Sequence, residues 1–335
     1  MNFLAKIILW KFSLLYRLAI AIWNIYYRFS RQVKFPVRVI SVGNITVGGT
    51  GKTPVVRYIA NLAVKAGYKT AVVARGYKRK SKGLIEVSDN STAVEVGDEP
   101  LEIYRLTENV RVYVHESKTI AAAKAFQDNA EVIIVDDGFQ HRRLYRDIDL
   151  VCLDWKRPFG PGGMLPLGRL REPESRLKRA NMLLYTSYDD KITPDVKIES
   201  DQKSFCARSQ IKSYLNIKTG VSLSSRELAG MKILAFCGLA NPEKFLVSLI
   251  QTGLNIAKLI PLPDHYHYHK DDIDKILSEV KNAGADCLIT TYKDAVKIDS
   301  YDFGNLNVYS AMLEIEIVDG NGNDNSEAFK QALGL

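Results

Sequence analysis

The chain has 335 residues, 46% of them hydrophobic and 25% charged, a balance ordinary for globular proteins and enough for two domains with a core in each. Its net charge of +8 and pI near 9.1 favour anionic partners (nucleotide phosphates, nucleic acid or acidic lipid) without choosing among them. The four cysteines, Cys152, Cys206, Cys237 and Cys287, are far apart and form no C-x-x-C pair; neither a disulfide framework nor a zinc site is indicated, and a reduced, cytosol-facing protein is the simple reading.

Residues 3–29 lack Pro and Gly and are rich in Leu, Ile, Trp and Tyr. At about 100° per residue, Asn2, Lys6, Ser13, Arg17, Asn24, Arg28 and Arg31 fall in one stripe, and Phe12, Leu15, Leu18, Ile22, Trp23, Ile25 and Tyr26 lie outside it. Lys6, Lys11 and Arg17 interrupt what would otherwise be a spanning segment, and no small-residue cleavage site follows. The pattern predicts a basic amphipathic helix lying at a membrane surface. Its competitor is a long helix packed on the globular body.

The apolar run 35–43 predicts the first strand and 54–66 a helix. Between them stands Thr46-Val47-Gly48-Gly49-Thr50-Gly51-Lys52-Thr53. Strand, glycine-rich loop ending in Gly-Lys-Thr, and helix make a phosphate-cradling loop: backbone N–H groups turn toward phosphate oxygens and the helix N-terminus adds positive charge. Lys52 would reach the β/γ-phosphates and the Thr53 hydroxyl would hold Mg²⁺. The strict pattern asks for Gly where this chain has Thr46.

Further strands are expected at 68–76, 109–115, 131–136, 149–154 and 182–187, with a helix at 117–128. An irregular connector is expected at 192–210. A second alternation follows: strands at 232–237, 256–261, 286–291 and 306–310, helices at 242–253 and 271–283. The expectation is an α/β fold: a mostly parallel, P-loop NTPase-like sheet with helices on both faces, a second, smaller α/β domain and the N-terminal helix. The domains expected are 1–30, 31–205 and 206–335, the final residues being assignable to either of the last two.

Asp136 and Asp137 follow four apolar residues, the way a phosphate-loop protein presents its acidic element to Mg²⁺. Asp98 and Glu99 precede a helix-like segment at 101–106. Asp98 reads there as a helix cap or as the carboxylate that takes a proton from an acceptor hydroxyl. His265, His267 and His269 alternate and would share one face of an extended segment; no further ligands gather around them in the sequence. No N-K-x-D guanine motif is visible, and a nucleic-acid role rests on net charge alone.

Together these residues resemble the tetraacyldisaccharide 4′-kinase (lipid A 4′-kinase) family. The matching segments are S-V-G-N-I-T-V-G-G-T-G-K-T-P at 41–54, A-R-G-Y at 74–77, G-D-E-P at 97–100, D-D-G-F-Q-H-R-R-L at 136–144, L-R-E-P at 170–173 and D-H-Y at 264–266. Thr46 in place of the first Gly belongs to this pattern too. The resemblance implies transfer of the γ-phosphate of ATP, with Mg²⁺, to the 4′-hydroxyl of a tetraacyldisaccharide 1-phosphate, giving lipid IVA at the cytoplasmic face of the bacterial inner membrane. It implies Asp98 as general base with His265 as its partner. Glu99, Asp136 and Asp137 would be metal and site carboxylates. Asn44, Arg75, Gln140, His141 and Arg171 would organise the site or touch substrate.

Three departures stand out. Thr291-Tyr292-Lys293-Asp294 replaces Thr-Glu-Lys-Asp; Arg169 stands where Pro is usual, facing either substrate phosphate or solvent; and Ser117-Lys118 occupies the place of a common arginine. Competing readings are a membrane-associated P-loop ATPase switch, which turns over nucleotide without a phosphorylated small product, and a soluble small-metabolite kinase or ligase.

Overall fold

A computed structural model describes residues 3–192 and 202–335. In chain order the elements are α1 (Phe3–Phe29), β1 (Arg38–Gly43), α2 (Lys52–Lys65), β2 (Thr70–Ala74), β3 (Ile85–Glu86), α3 (Ala93–Val96), α4 (Asp98–Leu106), β4 (Val110–Val114), α5 (Lys118–Gln127), β5 (Val132–Asp136) and β6 (Ile148–Asp154). After a 3₁₀ turn, Glu174–Arg179, come β7 (Met182–Thr186), β8 (Lys203–Asn216), β9 (Ser222–Leu223), β10 (Lys232–Cys237), α6 (Pro242–Gln251), β11 (Asn255–Pro261), α7 (Lys270–Ala283), β12 (Cys287–Thr291), α8 (Tyr292–Ile298), β13 (Asn307–Val318) and α9 (Ser326–Leu333). The described residues divide into two compact units. The first draws on Met1–Ser91, Ile103–Ser209 and Ile315–Leu335, the second on Thr92–Glu102 and Gln210–Glu314.

In the first unit the strands run β3-β4-β2-β5-β1-β6-β7-β8. All neighbours in this row are parallel except the short β3, which is antiparallel to β4. Strands buried on both faces must be apolar throughout, and β2 and β5 are buried at every residue. Ala121, Ala122 and Ala125 of α5 pack among Val39, Val73, Ile133 and Val135; their small side chains let the helix lie close to the sheet. β1 starts at Arg38 rather than at 35 because Pro36 has no N–H to give a ladder.

In the second unit β11-β10-β12-β13 form a parallel row. Alternate residues of β10 serve opposite faces. Ile233, Ala235 and Cys237 pack with Phe245 and Leu249 of α6, whereas Leu234 and Phe236 pack with Ile273, Ile276 and Val280 of α7.

The expected connector at 192–210 is corrected in part. Residues 193–201 lie outside the described residues, but from Lys203 onward the chain is the long strand β8. Its polar look comes from one-sided burial: Phe205, Ala207 and Tyr214 are buried while Lys203, Ser204, Ser209 and Gln210 are exposed.

Helix α1 packs the opposite way round from a soluble amphipathic helix. Ser13 and Asn24 of its polar stripe turn inward and are buried, whereas Arg17 of the same stripe is exposed: Ser13 Oγ donates to Met164 O at 3.0 Å, Tyr16 OH to Arg171 O at 3.0 Å, and Arg142 Nη1 to Asn24 Oδ1 at 2.5 Å. Its apolar side faces outward, with Leu15 62%, Tyr26 64% and Phe29 82% exposed beside Leu18, Ile22, Trp23 and Ile25. The stretch Ile7–Tyr27 is long and apolar enough to cross a membrane.

Candidate active site

The register of β1 against β5 sets Val42 beside Asp136. The loop after one strand and the acid pair after the other therefore leave the same sheet edge, at carboxyl ends where α/β sheets hold ligands. Residues 46–53 span the loop and the first turn of α2. Gly51 precedes the helix at φ +70°, a left-handed conformation that glycine adopts without a Cβ clash. Pro54 falls in the first turn of α2, where its missing N–H is harmless.

Neighbouring segments hold the loop rigid. Val47 N donates to Arg169 O at 2.8 Å, and Arg171 N to Ile45 O at 2.7 Å. Thr46 and Leu170 form an antiparallel bridge between these two bonds. Asn44 Nδ2 donates to Thr50 Oγ1 at 3.0 Å, Thr186 Oγ1 to Thr50 O at 2.9 Å, and Gln140 Nε2 to Asn44 O at 2.8 Å. Asn44, Thr46 and Thr50 are buried. The side chains that fold the loop are thus spent on its frame.

Asp137 sits at the centre of the cations. Lys52 Nζ lies 3.4 Å from its Oδ1, Arg171 Nη1 donates to its Oδ2 at 2.8 Å, and the buried Lys118 donates to its backbone carbonyl. Burial alone would raise its pKa, but Lys52, Lys118 and Arg171 outweigh it and hold the carboxyl well below the usual range. Asp137 has φ +50°, uncommon for a residue with a Cβ. Burial lowers the pKa of Lys118, with Asp137 and Asp136 opposing that shift. Asp136 is buried at the end of β5.

Gln140 also donates to Glu172 Oε1 at 3.2 Å, and Glu172 is paired with Arg179 at 3.0 Å. His141 Nε2 meets Thr119 Oγ1 at 3.0 Å. Burial, with Lys118 and the arginines around it, pushes its pKa down to about 4, so it is neutral at physiological pH. Arg75 is exposed just beyond β2.

The second unit carries its own polar cluster. Asp98 is the first residue of α4, and its Oδ2 lies 3.2 Å from His265 Nδ1 and 2.9 Å from Lys297 Nζ. On the other side of the ring, Lys293 Nζ lies 3.1 Å from His265 Nε2 and 3.0 Å from Asp264 Oδ1. An ammonium can only donate, so Nε2 accepts; Nδ1 then carries the proton and donates to Asp98. Burial opposes ionisation of Asp98, but His265 and Lys297 prevail and its pKa is lowered. Glu99 follows it, half-buried in the first turn of α4.

The three alternating histidines do not share a face or a task. His265 has φ +58°, which breaks the extended run. His269 opens α7, its N–H donating to Asp272 Oδ2 at 3.0 Å; His267 is exposed. Among the described residues no three His, Cys, Asp or Glu side chains converge as a ready metal-binding set. Sequence reasoning missed Lys293 and Lys297, whose spacing of four on α8 was their only signal, and it treated Lys118 as a departure rather than as a buried member of the Asp137 cluster.

Comparison with known proteins gives a consistent result. The family model described as tetraacyldisaccharide-1-P 4′-kinase matches residues 5–333. The tetraacyldisaccharide 4′-kinase of Syntrophus aciditrophicus (strain SB) is 37% identical over 309 residues, covering 86% of this chain and 83% of that protein. The one from Halothermothrix orenii is 35% identical, covering 93% and 90%. Among solved structures, LpxK from Aquifex aeolicus in complex with ATP superposes with a TM-score of 0.80 at 30% identity, over 98% of each chain.

Proposed function

The chain belongs to the tetraacyldisaccharide-1-P 4′-kinase family, and on that premise we propose that it transfers the γ-phosphate of ATP to the 4′-hydroxyl of a tetraacyldisaccharide 1-phosphate, forming lipid IVA. Residues 46–53 hold the triphosphate, with loop N–H groups and Lys52 on its oxygens. Asp98 takes the proton of the acceptor hydroxyl as that oxygen bonds to the γ-phosphorus and the bond to the β–γ bridging oxygen breaks, releasing ADP. Its lowered pKa suits a loose phosphoryl-transfer transition state, in which the acceptor keeps its proton until late. Lys293 fixes the imidazole tautomer, and His265 presents Nδ1–H to Asp98, holding the carboxylate in place. Arg171 and Lys118 keep Asp137 ionised.

The donor set fits Mg²⁺. Asp137 Oδ1 is buried and accepts no hydrogen bond, and carboxylate and hydroxyl oxygens are what a hard divalent ion prefers. Thr53, Asp136 and Asp137 of the first unit would hold it. A Mg²⁺ ion held by these oxygens would supply positive charge beside the transferred phosphate.

The outward apolar side of α1 and the basic charge of the chain support a peripheral seat on an anionic leaflet, at the cytoplasmic face of the inner membrane. Lifting a free acyl chain into water opposes binding by about 0.8 kcal/mol per CH₂, so an enzyme seated at the interface meets its acceptor where it dissolves.

The observation that carries the reading is the Asp98–His265–Lys293 chain of hydrogen bonds, since a hydroxyl acceptor needs a base and a nucleotide switch has no use for one. The test is transfer of labelled γ-phosphate from ATP to tetraacyldisaccharide 1-phosphate in mixed micelles. Labelled lipid is expected. ATP binding or hydrolysis with no labelled lipid overturns the proposal in favour of an ATPase.

A further inference from the structure

Arg169 sits in the segment that clamps the phosphate loop, and its backbone and side chain do different things. The backbone carbonyl accepts from Val47 N at 2.8 Å, and the bridge between Thr46 and Leu170 continues the ladder. Those contacts fix the position of the residue and would be made by any amino acid there. The side chain runs past Gly160, its Cδ 3.5 Å from where a Cβ would stand on that glycine, and its guanidinium ends on Gly48. Nη2 fills the space that a side chain at position 48 would need, so Gly48 is what admits the cation to the loop. Gly48 has φ +113° as well, a second reason for glycine there.

The other cations of this unit near the loop already have anionic or carbonyl partners. Lys52 and Arg171 face the Asp137 carboxylate, and Lys118 its carbonyl. Arg169 differs: it is exposed, and among the described residues no hydrogen bond or ion pair engages its guanidinium. A five-donor planar cation without a partner, resting on a loop built to bind phosphate, is matched in charge and shape to phosphate oxygens.

We propose that Arg169 is an arginine finger supplied in cis, whose guanidinium binds the phosphate oxygens of the loop-held nucleotide and neutralises charge on the γ-phosphoryl group in transit. This rests on the reading that residues 46–53 hold ATP. In the transferring state negative charge spreads over the equatorial γ-oxygens and builds on the β–γ bridging oxygen, and a fixed guanidinium beside them stabilises that state more than bound ATP. Lys52 supplies a point charge; Arg169 adds a planar fork at the loop's glycine flank.

The experiment compares wild type, Arg169→Ala and Arg169→Lys in kcat, KM for ATP, ADP affinity by calorimetry and thermal unfolding. A finger predicts a fall in kcat of about 100-fold or more for Arg169→Ala, with ADP affinity within about threefold and the unfolding temperature unchanged, because the clamp is backbone-made. Arg169→Lys should recover part of the loss. ADP with aluminium fluoride, which mimics the phosphoryl group in transit, should bind wild type more tightly than ADP alone, and Arg169→Ala should lose most of that difference. A kcat within twofold of wild type for Arg169→Ala overturns the finger, as does a loss matched by equal losses of ADP affinity and thermal stability. If wild type binds no ATP, or Lys52→Ala binds it as well as wild type, the reading of the loop itself fails; wild-type turnover with an indifferent Arg169→Ala sinks the finger alone.

Discussion

Asp137 and Asp98 show two ways of using a carboxylate. Asp137 is surrounded by Lys52, Lys118 and Arg171, so its charge is shared among cations. Asp98 meets the His265 ring and Lys297 through one oxygen, Oδ2, and on the proposed reading its other oxygen takes the proton. Asp98→Ala should therefore keep nucleotide affinity and lose turnover by about 10²–10⁴-fold, the range for a lost general base; single-turnover transfer beside a nucleotide titration checks it, and an equal fall in both would point to a structural role as a helix-start residue. His141 provides a pH prediction. Its pKa is pushed down from 6.5 to about 4, so below pH 6.5 the unfolded chain binds a proton that the folded chain refuses. Stability should then rise with pH between about 4 and 6.5, by roughly 2 kcal/mol once partial exposure is allowed for. His141→Gln, which can still reach Thr119, should flatten that part of the unfolding-temperature profile, and an unchanged slope would refute the assignment. Asp136, Asp137 and Lys52 were legible from local pattern. Lys118 and Lys297 were not, because a lysine in sequence carries no mark of being buried against an acid.

At the scale of elements, α1 is the least conventional part. Its periodicity is visible in sequence, but the direction of its two faces is not. Ser13, Tyr16 and Asn24 are spent on Met164, Arg171 and Arg142, and the apolar side is exposed, a patch that soluble monomers rarely present at this length. Leu15→Asp, Ile22→Asp and Ile25→Asp together should reduce sedimentation with anionic vesicles by at least about 100-fold, since each buried aliphatic side chain contributes roughly 1.5–3 kcal/mol, and should leave the unfolding temperature in detergent-free buffer nearly unchanged. A drop in stability with intact vesicle binding would mean that the apolar face packs on protein instead. β8 shows the converse limit. Its exposed polar residues masked a strand, since burial on one face leaves only Phe205, Ala207 and Tyr214 to signal it.

At the scale of the molecule, the two units have separate cores and different chemical equipment. The first holds the glycine-rich loop 46–53 with Asp136 and Asp137, the second the Asp98–His265 pair. A ligand of one unit stabilises that unit by mass action: ATP at about 100 times its Kd adds roughly 2.7 kcal/mol. Calorimetry should show the transition of the loop-bearing unit moving upward with ATP and Mg²⁺, and Lys52→Ala should abolish most of the shift while weakening turnover too. A shift that survives Lys52→Ala would place nucleotide elsewhere. Residues 92–102 group with the second unit although the chain on either side of them belongs to the first: unit membership follows packing, which no linear pattern records.

What the sequence determined by itself was local. Strand–loop–helix around Gly51-Lys52-Thr53, the acids after β5, the alternation of strands and helices and the stripe on α1 all follow from spacing, because backbone periodicity and glycine stereochemistry act over a few residues. What only the tertiary structure decided was convergence. Lys118 reached Asp137, His265 left its neighbouring histidines for Asp98, α1 turned Ser13 and Asn24 inward, and Arg169 laid its guanidinium on Gly48. Each depends on segments from 19 to more than 150 residues apart being brought together by the sheet and its packed helices, and charge, burial and proton affinity are properties of that neighbourhood rather than of the residue.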